Sequence, residues 1–467
     1  MKMKIEVSRR SFMMSALAAG AFPYIGCTSA PKCPDGKVRL ACVGIGQQAW
    51  NDIKAFEATG LVTIAALCDT DLDGKQCAAA LKKYPAAPRF RDFRKMLDAM
   101  DGKIDAVSVM NPDFSHFPAL MAAMKRGLPV FSEKPLAHTF EECELLMAAA
   151  KKYGVATQMG NQGHSGNNYH QFKHYVETGV LDVSKLTRLC AHMNNGRRWH
   201  KWNGKVSAFP TGEQMPKGLD WDTWLGTAAH HDYSKDYVQG EWRSWFDFGN
   251  GCLGDWGAHT MDTMHRFFDL GLPTEVQIKD VQGWNPFVFP MQDTLIFKFG
   301  AKGRRPALDL EWYEGVKNLP QLPKGHRFVD WGQDIPAAKG STADKARKLN
   351  PGKFFGFADG TFWQGGSHGA AIFRCDGEKA PEYPKPGSNH YANFLLAVMG
   401  KEQTRSPFSV SGPLSEVFCL GCIAQRLNRS FKFDPATKTV VGDDEANALL
   451  KGSKGTPRKG WEEFYKV

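Results

Sequence analysis

The sequence predicts an α/β protein in which a doubly wound parallel sheet is followed by an α+β domain with a mainly antiparallel sheet. Three observations carry this. Short apolar runs alternate with helical stretches between residues 38 and 160, as strands joined by crossover helices do. A glycine turn, GIGQQA at 44–49, separates the first run from the first helical stretch. Beyond residue 180, KLTRLCAHMN reads as a strand, and the later runs TEVQIKDVQG, DTLIFKFG and PALDLEWY read as antiparallel strands.

The chain opens with a different signal. Residues 8–14 read SRRSFMM, and the paired arginines precede FMMSALAAGAF, an apolar run too short to span a bilayer. This is the pattern of a twin-arginine export signal over residues 1–27. The run ends at YIGC, so Cys27 resembles the lipidated cysteine of a bacterial lipobox, although Tyr24 stands where that pattern prefers leucine. Cleavage a few residues away fits as well. The expected location is the periplasm or cell envelope, with the membrane reached only through a lipid on Cys27.

Composition narrows the function classes. At 467 residues there is room for two or three domains, and 42% hydrophobic with 23% charged residues is ordinary for a folded chain. The net charge of +10 falls to about +7 without residues 1–26, and there is no run of five Lys or Arg. Nucleic acid is therefore not an expected partner. Of eleven cysteines, Cys42, Cys68 and Cys190 lie in apolar runs. Cys419 and Cys422 form a CxxC without a redox-domain context, so buried thiols are expected rather than disulfides.

In the first domain, VRLACVG, VTIAALCD, IDAVSVM, LPVFSEKP and VATQMG read as strands with helices between them. In GIGQQA, Gly44 permits a tight turn, Gly46 lets the backbone approach a pyrophosphate, and Ala49 keeps helix and strand close. The helix that follows offers unpaired N–H groups to phosphates. Asp69, ending the second strand, accepts from a ribose hydroxyl and repels a ribose phosphate, so the expected cofactor is NAD rather than NADP. The later strand ends MNPDFSH (110–116) and SEKP (132–135) face the same crevice.

Together, Gly44 and Gly46 with Asp69, Asn111-Pro112 with His116, and Glu133-Lys134-Pro135 resemble the Gfo/Idh/MocA oxidoreductases. That family includes inositol dehydrogenases and glucose–fructose oxidoreductase. The resemblance runs from about residue 38 to the C-terminus, and E-K-P is its most specific element. It implies a Rossmann domain over 38–160, an open-sheet substrate domain over 161–386, and C-terminal helices with a tail over 387–467 packing back on both. It also implies that Glu133 contacts the nicotinamide end and that Lys134 is catalytic. Asn111, His116 and Gln162 are expected around the cofactor, and a homo-oligomer is expected.

The second domain holds GCLGDWGAHTMD at 251–262. Asp255 and His259 are four apart and share a helix face, where a carboxylate can orient an imidazole as a general base. The family motif D-x-x-x-H falls on these two residues. Asp262 and His265 continue the spacing, but four ligands along one straight helix cannot converge on one ion, so no metal is expected. Seven of thirteen tryptophans lie between Trp199 and Trp256. Indole faces suit sugar rings, which points to a carbohydrate substrate, with Trp242, Arg243 and Gln162 as contacts. The stretch 316–386, rich in Gly, Pro and Lys, is expected to form long loops.

The chemistry expected from these residues is reversible hydride transfer at a carbohydrate or polyol carbon. His259 takes the hydroxyl proton, Asp255 orients it, and Lys134 stabilises charge on the substrate oxygen. Twin-arginine export carries folded proteins, so NAD can leave the cytoplasm already bound. Outside there is little NAD to exchange, and the cofactor must be reset within each cycle. A redox-neutral glycoside hydrolase or lyase acting through a keto-sugar is the alternative, although the best-known glycosidase branch lacks the lysine of E-K-P. A non-enzymatic sugar-binding protein would need no general base. Changing Arg9 and Arg10 to Lys is expected to strand folded protein in the cytoplasm, as cell fractionation reads; unchanged export would refute the signal.

Overall fold

The computed structural model describes residues 33–194, 206–316, 318–324, 326, 329–330, 333–334 and 350–467. Residues 1–27, where an export signal is expected, lie outside the described residues, as do Trp199 and Trp202.

The first sheet holds β1 (Val38–Val43), β2 (Val62–Cys68), β3 (Arg89–Phe90), β4 (Ala106–Val109), β5 (Val130–Ser132) and β6 (Thr157–Met159). Their order is β3-β2-β1-β4-β5-β6 and every pair is parallel. β4 and β5 are buried along their whole length, as strands covered by helices on both faces must be. The order reverses between β1 and β4, which opens a crevice at their carboxyl ends. Gly44, just after β1, has φ 83°, and a Cβ there would lie 2.6 Å from the Met110 carbonyl oxygen at the end of β4. Only glycine lets the turn pass so close.

Helix α1 (Gln48–Ala58) follows this turn, and α2 (Phe140–Tyr153) follows the E-K-P loop. A reciprocal capping box starts α2, with Thr139 Oγ1 accepting from the Glu142 N–H and Glu142 Oε2 accepting from the Thr139 N–H. The box fixes where the chain leaves E-K-P.

The second sheet is mixed and mainly antiparallel. It contains β7 (Leu186–Met193), β8 (Glu275–Gln282), β9 (Gln292–Phe299) and β10 (Leu308–Glu314), with β7 and β10 parallel. After a small hairpin of β11 (Val329–Asp330) and β12 (Gln333–Asp334) come β13 (Gly352–Phe357), β14 (Phe362–Gly366) and β15 (Ile372–Arg374). These three add to β7 within the stretch expected to be loops, which corrects that expectation. Glycine content reads as loop. Paired across the ladder, Gly352 faces Gly366, and the intervening phenylalanines supply strand propensity.

The C-terminal region also differs from expectation. Helices α4 (His390–Val398) and α5 (Phe408–Leu427) are present, but β16 (Phe431–Asp434) and β17 (Thr439–Val440) then extend the second sheet from β8. One hydrophobic cluster runs through both sheets, from Val107 through Phe418 to Trp312. Helix α3 (Gly251–Thr260) is sandwiched in it against α5. The ten described cysteines are all free and mostly buried. No helix among the described residues is long and apolar enough to cross a membrane.

Candidate active site

Gly44, Gly46, Gln47, Asp69 and Asn111 line the crevice at the carboxyl ends of β1, β2 and β4. Ala49 is buried behind the turn. Helix α1 begins without a side-chain cap, so its first N–H groups are left for a ligand. Asp69 Oδ2 accepts from the Ile45 N–H at 3.1 Å and Oδ1 from the Asp71 N–H at 3.0 Å. Each oxygen keeps a second acceptor direction, so the carboxylate braces the glycine turn and can still meet a ribose. Burial raises its pKa above the ordinary aspartate value, opposed by those two N–H groups. Two further cleft residues, Asn111 and Arg91, each bury a polar atom (Oδ1 and Nη1) without a partner among the described residues. An uncapped helix start and two waiting polar atoms fit a dinucleotide.

Other residues expected around the cofactor are engaged elsewhere. His116 is buried, with Nδ1 2.9 Å from the Pro135 carbonyl and Nε2 2.8 Å from the Asn111 carbonyl. It fastens two strand-end loops together rather than lining the crevice. Gln162 Nε2 donates to Tyr391 Oη at 3.0 Å and to Glu133 Oε1 at 3.4 Å, and Tyr391 donates to Asp52 at 2.6 Å. Burial, then the Asp52 charge, pushes the Glu133 carboxyl well above its usual range. This chain of contacts links the C-terminal helix α4 to the E-K-P loop, and neither Asp52 nor Tyr391 carries a local motif that would have marked it.

Lys134 leaves the end of β5 and meets α3. A Cβ on Gly254 would sit 3.3 Å from Pro135 Cγ, so the helix lies directly against the loop. Lys134 Nζ is 2.5 Å from Asp255 Oδ1, and each side chain is 12% exposed. Asp255 was expected to orient His259; it instead pairs with Lys134, because the buried ammonium is the stronger partner for a carboxylate. Burial disfavours the Lys134 cation, but Asp255 and Glu133 outweigh it and the pKa ends above the ordinary lysine value.

His259 is buried, and its Nδ1 has no hydrogen-bond partner among the described residues. Its ring stacks on His368 with centroids 3.9 Å apart, and Trp256 stands edge-on to both. His368 comes from the turn between β14 and β15 at φ 53°, a conformation that few non-glycine residues adopt. Ser367 Oγ lies 2.8 Å from its Nδ1, and a Cβ on Gly369 would lie 2.9 Å from Gly166 Cα. The sequence reading missed His368, a single histidine in a glycine-rich stretch. Burial, then His368 and the Lys134 charge, holds His259 well below the ordinary histidine pKa. Burial and then Lys134 also lower His368. The arrangement is an ammonium–carboxylate pair beside two neutral imidazoles, which suits proton transfer and stabilisation of an oxyanion.

The helix breaks after α3, and Asp262 turns to His164 (3.0 Å) and Asn161 (2.9 Å) while His265 Nε2 faces the Gly271 carbonyl. No group of three or more His, Cys, Asp or Glu side chains among the described residues is arranged to hold a metal. Of the described tryptophans expected to form a sugar platform, Trp256 stands beside His259 and His368 and the others pack elsewhere. Trp224, Trp242 and Trp245 form a separate aromatic core with Phe114 and Phe248, and Trp242 and Arg243 line the dinucleotide crevice. An indole buries against another indole as readily as against a sugar ring.

Two models of one family match this chain. The NAD-binding Rossmann fold of the Gfo/Idh/MocA oxidoreductases covers residues 38–161, and the family's C-terminal alpha/beta domain covers 165–344. The chain belongs to the Gfo/Idh/MocA oxidoreductase family. The cofactor of its Rossmann domain is NAD. Among family members, inositol 2-dehydrogenase of Klebsiella pneumoniae is 32% identical over 159 residues, 34% of this chain and 46% of that protein. The rhizopine catabolism protein MocA of Rhizobium meliloti is 28% identical over 147 residues, 31% of this chain and 44% of that protein. The chain thus spans less than half the length of these relatives. The fold is similar to the WlbA dehydrogenase of Chromobacterium violaceum, solved with NADH and UDP-GlcNAcA (TM-score 0.57, 14% identity, 88% of this chain and 99% of that one).

Two outcomes follow from the electrostatics. Because His259 is held well below 6.5, it is neutral at and above that pH, and its imidazole NMR signals, assigned with His259→Gln, should not shift between pH 8 and 6.5; a midpoint inside that window would refute the burial argument. Asp69→Ala should weaken NAD roughly 10- to 100-fold, the loss of charge-assisted hydrogen bonds, and weaken NADP less. Calorimetric titration with both nucleotides decides it, and a wild type that prefers NADP overturns the assignment.

Proposed function

We propose that this protein is an exported NAD-dependent oxidoreductase that moves hydride to and from a carbohydrate or polyol carbon, with its cofactor kept bound and reset in each cycle. The observation that carries the reading is the Lys134–Asp255 pair beside the neutral His259. NAD, when bound, supplies the hydride acceptor and the returning donor. His259 accepts the substrate hydroxyl proton. Lys134 stabilises the negative charge that develops on that oxygen, and Asp255 keeps its ammonium charged and in place. Relatives named as inositol 2-dehydrogenases support a ring-shaped polyhydroxy substrate. The paired arginines Arg9 and Arg10 support export, and Cys27 is the proposed lipid site if an anchor is present.

A second reading has its own support in His368. Oxidising one hydroxyl uses one base. Eliminating a glycosidic substituent two carbons from the new ketone needs a further group to take the C–H proton from the carbon between them and to protonate the leaving oxygen, and a second neutral imidazole stacks on His259.

Lys134→Ala and His259→Ala should each lower turnover by about 100- to 10,000-fold while nucleotide stays bound. Purified wild type should process many substrate equivalents without added nicotinamide. Under the oxidoreductase reading, a sugar donor alone reduces the bound NAD once and a carbonyl acceptor restarts turnover. Turnover of a single glycoside with solvent deuterium entering a substrate C–H bond selects the glycosidase. Apoprotein that consumes free NAD in every turnover defeats both.

A further inference from the structure

The dinucleotide crevice has two walls, and the second does not come from the Rossmann domain. Opposite the glycine turn stand Leu219, Trp224, Tyr233, Trp242 and Arg243, all from the segment between β7 and α3. We propose that residues 216–243 are a strap that completes the NAD site, so that the nucleotide leaves only when this segment lifts. The inference rests on the cofactor reading above and adds to it the residues that enclose the cofactor and slow its exchange.

The strap is fastened along the length of the crevice. At the ribose end, the Asp220 N–H donates to the Thr70 carbonyl at 2.9 Å, one residue beyond Asp69. Gly218 passes so near Asp73 that a Cβ there would meet its carboxylate at 2.1 Å. In the middle, Trp224 packs on Phe114 of the Rossmann domain with centroids 5.0 Å apart and stacks on Trp221 at 4.3 Å. At the catalytic end, the Arg243 guanidinium attracts the buried Asp113 of the Rossmann domain, opposing the rise that burial gives its carboxyl. Asp222 is held from outside by Arg458 at 2.6 Å and more loosely by Arg94 at 3.8 Å, and the Arg458 N–H donates to the Thr227 carbonyl.

These contacts make the strap a packed element rather than a loose loop. Trp224, Tyr237 and Trp242 of the strap belong to an aromatic core shared with Phe114 of the Rossmann domain and with Trp245 and Phe248 just beyond it. The turn over the crevice carries two consecutive left-handed residues, Gln239 (φ 57°) and Gly240 (φ 94°), a conformation that the surrounding packing must hold. A nucleotide bound against Gly46 and Asp69 would share the crevice with Trp224 and Tyr233. Release would then require breaking the aromatic packing, which makes it slow.

The test uses the full-length protein as purified. Bound nucleotide is chased with isotopically labelled NAD, and the remaining fraction is read by mass spectrometry after gel filtration and denaturation. Trp224→Ala and Tyr233→Ala should each release nucleotide at least about tenfold faster than wild type, since a lost ring contact of this size changes an equilibrium by that order. Trypsin should cut after the exposed Lys217 and Lys235 more slowly in the loaded protein than in the stripped one. If Trp224→Ala does not fold, Tyr233→Ala decides alone. Unchanged release and unchanged cleavage in a folded variant that binds NAD overturn the strap and leave the cofactor reading standing. Wild-type protein that neither carries nor takes up NAD overturns both.

Discussion

The contact between Lys134 and Asp255 is the constraint on which the site depends. The two residues are 121 positions apart and come from different domains, one from the end of a parallel strand and one from a helix of the second domain. Taking both charges out of water costs several kcal/mol for each, and their attraction offsets this only in close geometry. Removing either partner would leave a stranded charge, at about 3–5 kcal/mol. The rest of the packing serves that distance: α3 rests on Pro135 at Gly254, α5 backs α3, and one core runs beneath both sheets. The same ammonium then acts on its neighbours. Burial is the first cause that keeps His259 and His368 neutral, and the ammonium adds to it.

The crevice obeys a second constraint. A doubly wound sheet opens a binding edge at its switch point but covers only one side of a ligand there. In this chain the other side is lined by a segment whose aromatic residues share a core with Phe114 of the Rossmann domain. On the proposed reading this serves an enzyme working where free NAD is scarce, since an enclosed cofactor is retained between turnovers. Export of a folded chain and enclosure of its cofactor are then two aspects of one requirement.

Much of the fold was legible because its signals are local. Alternation of apolar runs with helical stretches, the 44–49 turn, Asp69 at a strand end, E-K-P, and the four-residue spacing of Asp255 and His259 are each written within a short run of consecutive residues. Three features were not legible. Glycine and lysine content hid β13 to β15, whose pairing depends on β7 more than 150 residues earlier. Nothing local separates Trp256, beside the two histidines, from Trp224, Trp242 and Trp245, which share one aromatic core. His368 carries no neighbouring motif at all.

Consecutive positions were enough to read the doubly wound domain and the cofactor turn, and they marked Lys134, Asp255 and His259 as candidates. Short-range sterics and the periodicity of apolar residues are written into consecutive positions, so they can be read there. Only the tertiary structure decided which side chains face each other: that Asp255 holds Lys134 rather than His259, that His368 stacks on His259, and that His116 fastens two loops. Ion pairing, ring stacking and burial depend on distance in space, and residues brought within 4 Å by packing leave no mark of that nearness in their order along the chain.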